Sequence, residues 1–222
     1  MSRVLLSWSG GKDAAWTLHA LQQGGAHEVV GLVTTVTEGY ERIAMHGIRR
    51  EILQAQAAAA GLPVIEARMP QQADNAAYEA SFAAALAEAR RRWPGLAHIA
   101  FGDLFLEDVK AWRDALCARL GWTPLYPLFG RDTADLAREM LAGGLRATLC
   151  CVDTQQLDGD FSGRDFNARL LDELPAEVDP CGERGEFHTC VSAGPMFTRP
   201  LALHRGERVL RDGRFAYTDL LW

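Results

Sequence analysis

The chain has 222 residues and a formal net charge of −6, from 23 basic and 29 acidic side chains. This length suits one large domain, or one domain with a smaller second unit. Apolar residues make up 48% of the chain and charged residues 23%, a globular composition that excludes disordered and fibrous proteins. The acidic net charge argues against a protein that binds nucleic acid by neutralising its phosphates.

No apolar run approaches the roughly 18 residues of a membrane span, and the first residues contain no signal-peptide core. We therefore expect a cytoplasmic protein that does not enter a membrane. The five cysteines lack Cys-x-x-Cys spacing, so we expect reduced, mostly buried thiols and no metal cluster. A thiol nucleophile or persulfide carrier at Cys150, Cys151 or Cys181 stays open.

Short apolar runs alternate with amphipathic helical segments over the first 122 residues. Parallel strands need crossover connections, which bring helices onto both faces of a sheet. The pattern therefore predicts an α/β fold with a doubly wound, Rossmann-like parallel sheet. Strands are predicted at 4–8, 29–36, 63–67 and 96–101, and helices ending near Gly24, Gly61, Arg92 and Gly121.

The remaining residues, 123–222, are predicted to form a smaller C-terminal α+β subdomain that binds the substrate. Its predicted elements are a helix at 133–142, a strand at 145–152, a short helix at 165–174, and paired strands at 200–222 around turns at 205–207 and 212–213. The first unit, 1–122, is then the nucleotide-binding domain.

The first strand is followed by Ser7-Trp8-Ser9-Gly10-Gly11-Lys12-Asp13-Ala14. Two glycines let backbone amides approach an anion at a helix N-terminus, and Lys12 adds a positive charge, which predicts a phosphate-binding turn. The turn is not a P-loop, because Leu6 and Asp13 stand where that motif needs Gly and Ser or Thr.

This turn resembles the pyrophosphate loop, Ser-Gly-Gly-x-Asp-Ser, of the N-type ATP pyrophosphatases in the adenine nucleotide alpha-hydrolase-like superfamily, with Ala14 in place of the last Ser. Three further segments, together with this order of motifs, resemble the diphthine-ammonia ligase family. They are Met45-His46-Gly47-Ile48-Arg49-Arg50, Phe101-Gly102-Asp103-Leu104-Phe105-Leu106-Glu107-Asp108 and Asp179-Pro180-Cys181-Gly182-Glu183-Arg184-Gly185-Glu186-Phe187-His188-Thr189. The resemblance covers nearly the whole chain and implies an amino-terminal ATP-binding domain.

The last segment departs from the family pattern at two positions. Arg184 stands where the ligases have Gly, and His188 stands where they have Glu. An imidazole in place of a carboxylate changes the charge and hydrogen bonding of the expected acceptor pocket. The resemblance thus supports ATP-dependent activation more firmly than it supports diphthine as the substrate.

The implied chemistry is adenylation of a substrate carboxylate, release of pyrophosphate, and attack by ammonia or an amine to give an amide and AMP. Lys12, Glu183, Glu186 and His188 are the candidate catalytic residues. Candidate ligands of ATP and pyrophosphate are Ser7, Ser9, Gly10, Gly11, Lys12, Asp13, Gly102 and Asp103. Candidate substrate ligands are Cys181, Gly182, Glu183, Gly185, Glu186, His188 and Thr189.

Asp13 and Asp103 are also candidate Mg²⁺ ligands, since Mg²⁺ favours one or two carboxylates combined with phosphate oxygens. The alternatives are that Asp13 only complements a helix N-terminus, that Asp103 caps the next helix, and that Glu183 and Glu186 are surface charges on a turn.

Two other functions stay open: an ATP-binding sensor without turnover, and an enzyme that modifies a nucleic-acid base, against which the acidic charge counts. The expected partners are ATP, a carboxylate and ammonia or an amine. Nucleic acid is not expected, and a homo-oligomer is left open.

Overall fold

The computed structural model describes residues 1–43, 46–71 and 73–222. The amino-terminal part contains β1 (Ser2–Ser7), α1 (Lys12–Gly24), β2 (His27–Thr37), β3 (Arg42–Ile43), α2 (Arg50–Ala60), β4 (Val64–Met69), α3 (Asn75–Arg92), β5 (His98–Ala100), α4 (Glu107–Leu120) and β6 (Thr123–Leu125). The carboxyl-terminal part contains α5 (Thr133–Ala142), β7 (Arg146–Asp153), a 3-10 turn (Gly159–Phe161), α6 (Ala168–Glu173), β8 (Phe187–Ala193), β9 (His204–Arg211) and β10 (Phe215–Leu221).

The first sheet has the parallel strand order β4-β2-β1-β5-β6. The short strand β3 pairs antiparallel with the end of β2, beyond the point where β1 stops. The chain runs outward in one direction from β1 to β2 and β4, and in the other direction to β5 and β6. The loops after β1 and β5 therefore meet at the switch point where α/β sheets bind ligands. The predicted doubly wound parallel sheet is confirmed.

Both faces of this sheet are covered, because successive side chains of a strand point to opposite faces. Leu5 of β1 packs with residues of α3 and α4, such as Phe82 and Leu116. Val4 and Leu6 pack on the other face, in a core that also contains residues of α1, α2 and the carboxyl-terminal part. The apolar core is therefore continuous between the two parts of the chain.

The second sheet is antiparallel, with the order β8-β7-β10-β9. The predicted turn at 212–213 is confirmed: Asp212 and Gly213 adopt φ values of 54° and 62° between β9 and β10. The predicted turn at 205–207 is wrong, since these residues lie within β9, where Arg205 pairs with Leu220. Strand β8 was not predicted.

Strand β6 follows the predicted division at residue 122 and pairs with β5 in the first sheet. The division into two domains at that residue stays a prediction. Within the described ranges, no helix has both the length and the apolar character needed to cross a membrane.

Candidate functional site

The predicted phosphate-binding turn connects β1 to α1. Gly10 has a φ of 78°, in the left-handed region that glycine adopts without strain. A Cβ at Gly10 would lie 2.8 Å from Oε1 of Gln56, so a larger residue has no room there. Helix α1 begins directly after Gly11, so the amides of its first turn have no acceptor within the helix, which is the arrangement that anion binding at a helix N-terminus uses.

The segment after β5 lies against the start of α1. A Cβ at Gly102 would lie 2.9 Å from the carbonyl carbon of Asp13 and 3.0 Å from the amide nitrogen of Ala14. Only glycine permits this approach of two backbones. The fold thus brings the predicted residues Gly102 and Asp103 beside the glycine turn, because β5 is the neighbour of β1.

Strand β8 reaches the same turn from the second sheet. The amide of Val191 donates to the carbonyl oxygen of Gly10 (2.9 Å), and the amide of Lys12 donates to Oγ1 of Thr189 (3.0 Å). The buried amide group of Gln56 donates to the carbonyl oxygens of Gly10 (3.0 Å) and Val191 (2.8 Å). These bonds join the first and the last motif of the sequence.

A cavity of about 230 Å³ lies where the three segments meet. Ten of the predicted site residues line it: Ser7, Ser9, Lys12, Asp13, Gly102, Asp103, Gly182, Glu183, His188 and Thr189. Gly10 and Gly11 form the adjoining backbone of the turn. Cys181, Gly185 and Glu186 are not among the lining residues.

The ammonium group of Lys12 is buried and paired. Its Nζ lies 2.8 Å from Oδ2 of Asp13 and also donates to the carbonyl oxygen of Cys181. Burial lowers the pKa of Lys12, but the carboxylate of Asp13 more than offsets this and the pKa lies above its ordinary value. Lys12 therefore stays charged at the cavity wall.

Glu183 reaches the cavity from the loop before β8. Its Oε1 accepts hydrogen bonds from the amides of Leu104 (2.7 Å) and Phe105 (3.4 Å), just after β5. Burial raises the pKa of Glu183 to about 7, although the hydrogen bond from the Leu104 amide acts in the opposite direction. A carboxyl group that titrates near neutral pH is suited to accept a proton.

Glu186 is buried behind the cavity and organises the loop. Its Oε1 accepts from the amide of Asp179 (2.9 Å). Oδ1 of Asp179 in turn accepts from the amides of Cys181 (2.9 Å) and Glu183 (3.2 Å). The alternative that Glu183 and Glu186 are surface charges on a turn is wrong, because both are engaged inside the protein. A direct substrate contact of Glu186 stays a prediction.

His46, Phe101 and Arg113 also line the cavity and were not named as site residues from the sequence. The ring of His46 lies 4.5 Å from that of His188, centroid to centroid. Burial and the charge of Lys12 lower the pKa of His188 to about 4, so its imidazole is neutral at neutral pH. His46 belongs to segment 45–50, whose resemblance to the family could have identified it as a site residue. Met45 of that segment lies outside the described residues.

Asp103 is paired with Arg113 of α4 through Oδ2 and Nε at 2.7 Å. The alternative that Asp103 caps α4 is wrong, since the residue before that helix is Leu106 and its side chain makes no capping bond. The five cysteines are free and buried, as predicted. Burial raises the pKa of Cys181, which argues against a reactive thiolate there.

The carboxylates fit a magnesium ion that is shared with phosphate oxygens. Oδ1 of Asp13 is buried and receives no hydrogen bond from the described residues, so it is suited to a cation. Within the described ranges no cluster of three or more His, Cys, Asp or Glu side chains is placed to hold a metal alone. One or two carboxylates would then hold the ion together with a bound nucleotide.

Family models match both parts of the chain. The model of the diphthamide synthase N-terminal domain matches residues 2–124, and that of the diphthamide synthase C-terminal domain matches residues 132–218. The chain belongs to the diphthamide synthase family. The resemblance inferred from the motifs is thereby confirmed.

Curated relatives of this family carry one name, diphthine–ammonia ligase. The chain is 26% identical to the protein of Schizosaccharomyces pombe, over 93% of this chain and 37% of that protein. It is 35% identical to the protein of Danio rerio, over 48% of this chain and 44% of that protein. The human protein is 31% identical over 44% of this chain and 38% of its own length. The matches thus span less than half the length of these relatives.

Proposed function

We propose that this chain is an ATP-dependent ligase that activates a carboxylate as its acyl adenylate and joins it to ammonia or an amine. The observation that carries the proposal is that the glycine turn and the segment from Glu183 to Thr189 line one cavity. A phosphate-binding turn alone would fit many nucleotide-binding proteins. Its contact with a polar second segment supports chemistry on a second substrate.

In the first step, a carboxylate oxygen attacks the α-phosphorus of ATP, and the bond to the bridging oxygen of the β-phosphate breaks. Pyrophosphate leaves with that electron pair. Lys12 and the amides at the start of α1 stabilise the charge on the leaving group. The candidate magnesium ligands are Asp13 and Asp103, and the ion would neutralise phosphate charge.

In the second step, the nitrogen of ammonia or an amine attacks the acyl carbon, and AMP leaves. The nitrogen loses a proton, and Glu183 is the group that accepts it, because this carboxyl lines the cavity and titrates near neutral pH. Glu186 supports Glu183 through Asp179. We also propose that the protein acts in the cytoplasm, where ATP is supplied.

The carboxylate that the enzyme activates is identified by the same experiment that tests the proposed function. Diphthine is one candidate, taken from the name of the relatives. The neutral His188 is one of the two positions, with Arg184, at which this chain departs from the family pattern. The test is exchange of labelled pyrophosphate into ATP, with Mg²⁺, across a panel of carboxylates that includes diphthine. Exchange that requires a carboxylate supports the ligase, and ADP with phosphate as products would refute it.

Two variants test the separate roles of the phosphate turn and the second segment, with ATP titration as the measurement. Lys12→Ala is expected to weaken ATP binding, because it removes the charge at the phosphate turn. Glu186→Gln is expected to leave ATP binding unchanged, since Glu186 lies behind the cavity. An equal loss of ATP binding in both variants would contradict this division. Tight ATP binding with no turnover on any acceptor would favour a sensor.

A further inference from the structure

A second cavity, of about 520 Å³, lies between the first turns of α3 and α4. Met69, the last residue of β4, also lines this cavity, so the cavity lies at the carboxyl-terminal edge of the parallel sheet, as the polar cavity described above does. Tyr78, Val109 and Trp112 form an apolar wall, in which the rings of Tyr78 and Trp112 lie 5.5 Å apart. We call this cavity the α3–α4 groove.

Arg113 lines both the α3–α4 groove and the polar cavity. Its guanidinium lies 4.4 Å from the centre of the Phe101 ring and binds Asp103 through Nε. Arg113 also donates a hydrogen bond to the hydroxyl of Tyr78. A guanidinium has five N–H donors, so these two partners leave others that match a carboxylate in geometry and charge. A molecule in the groove can therefore place an anionic end at the boundary of the polar cavity.

The acidic residues at the rim have structural reasons to be there. Asp74 caps α3 by accepting from the amide of Ala77 (2.8 Å), and Asp108 lies in the first turn of α4, where a negative charge complements the helix dipole. The groove thus combines an aromatic wall and two carboxylates, each stabilised by a helix N-terminus, with the arginine that it shares with the polar cavity. That combination is complementary to a carboxylate carried on an apolar or aromatic group.

We propose that the α3–α4 groove holds the acceptor of the ligase reaction, with its apolar part against Tyr78 and Trp112 and its carboxylate against Arg113. This rests on the proposed function for the identity of the acceptor, but the binding site is testable without turnover. Arg113 then brings the carboxylate to the cavity where the α-phosphate of ATP is bound. The phosphates of ATP then lie in the polar cavity and leave the groove free.

The experiment uses fluorine NMR on the protein labelled with fluorotryptophan. The chain has 6 tryptophans, and Trp112→Phe assigns the Trp112 resonance. Phenylacetate is the probe, and phenylacetamide is its uncharged match. We expect phenylacetate to shift the Trp112 resonance saturably, and phenylacetamide to bind at least about tenfold more weakly. ATP with Mg²⁺ is expected to leave the binding of phenylacetate unchanged.

Arg113→Met is expected to weaken phenylacetate binding by about tenfold or more. Arg119→Met is the matched control, since Arg119 is an exposed arginine of the same helix that pairs with Glu79. Val109→Trp fills the groove without removing Arg113 and is expected to abolish binding of the probe while ATP binding persists. This variant tests the site if Arg113→Met fails to fold.

Competition between ATP and phenylacetate would overturn the proposal, because the groove would then belong to the nucleotide. Equal binding of phenylacetate and phenylacetamide would overturn the role of Arg113. Failure of the proposed function gives a different result: Trp112 still responds to phenylacetate, but no carboxylate supports pyrophosphate exchange. Exchange without any response of Trp112 would refute the groove and leave the ligase standing.

Discussion

Glu183 is a carboxyl group on the cavity wall with a pKa of about 7. A base must be deprotonated to act, so the rate of amide formation is expected to rise with pH through about 7 and to level off above it. Glu183→Gln should abolish this rise of the rate with pH and most of the rate itself, because the amide of Gln cannot accept the proton. The measurement is the pH profile of kcat/KM, with the amine concentration counted as its unprotonated form.

Glu186→Gln is the control for that profile. It changes a buried carboxylate in the same loop, so it reports the cost of disturbing the loop without removing the base. The profile of Glu186→Gln should keep its inflection near the pKa of Glu183. The same inflection in Glu183→Gln would show that another group titrates.

Individual residues of the site were predictable where the local sequence is distinctive. The glycine turn has an unusual local composition, and its partner Gly102 follows a predicted strand. Arg113 has no distinctive local sequence, since an arginine on an amphipathic helix is ordinary. Only its contacts with Phe101 and Asp103, which follow β5, bring it to the cavity. His46 reaches His188 through a contact between residues 142 positions apart, which no local pattern encodes.

Helix α1 and the segment after β5 are in direct backbone contact at Gly102, which makes this junction sensitive to a single methyl group. Gly102→Ala is expected to destabilise the protein by roughly 2 kcal/mol and to weaken ATP binding, because the start of α1 must shift. Thermal unfolding and ATP titration measure the two effects.

Gly24→Ala is the matched control at the other end of α1. A Cβ there meets no atom within 4 Å, so this change should be neutral or slightly stabilising. A neutral result for both alanines would show that the two backbones are not in contact in solution.

The elements that were missed are short or lie in polar sequence. Strands β3 and β6 have two and three residues, too few to show an alternating pattern. Strand β8 has seven residues, yet it begins inside the segment that looked like a ligand-binding loop. The long helices were predictable because their periodicity is sustained over many residues, and the buried strands because each lies in a short continuous apolar run.

Across the whole molecule, Asp219 of β10 joins the two parts of the chain through Arg42 and Arg49, at 2.9 and 2.6 Å. Burial raises the pKa of Asp219, but hydrogen bonds from the two arginines more than offset this and lower it from 3.8 to about 2. A group whose pKa is lower in the folded protein than in the unfolded chain stabilises the folded protein at any pH above the pKa of the unfolded chain. This stabilisation is lost as the pH falls toward the pKa of the folded protein.

We therefore expect Asp219→Asn to lower the free energy of unfolding by roughly 1–2 kcal/mol at neutral pH, and by progressively less between about pH 4 and pH 2. Urea unfolding at a series of pH values measures this. Glu207→Gln on the neighbouring strand β9 is the control for loss of an exposed carboxylate. A difference between wild type and Asp219→Asn that is independent of pH would contradict the ion pair.

The hydrogen bond from Val191 to Gly10 has a consequence for the order in which the protein is made. The phosphate turn leaves the ribosome before one of its supports, which lies about 180 residues downstream, and domains tend to fold in order of synthesis. A nascent chain that has folded only its parallel sheet has an unfinished turn. The newly made protein thus completes this turn only after strand β8 has been synthesised.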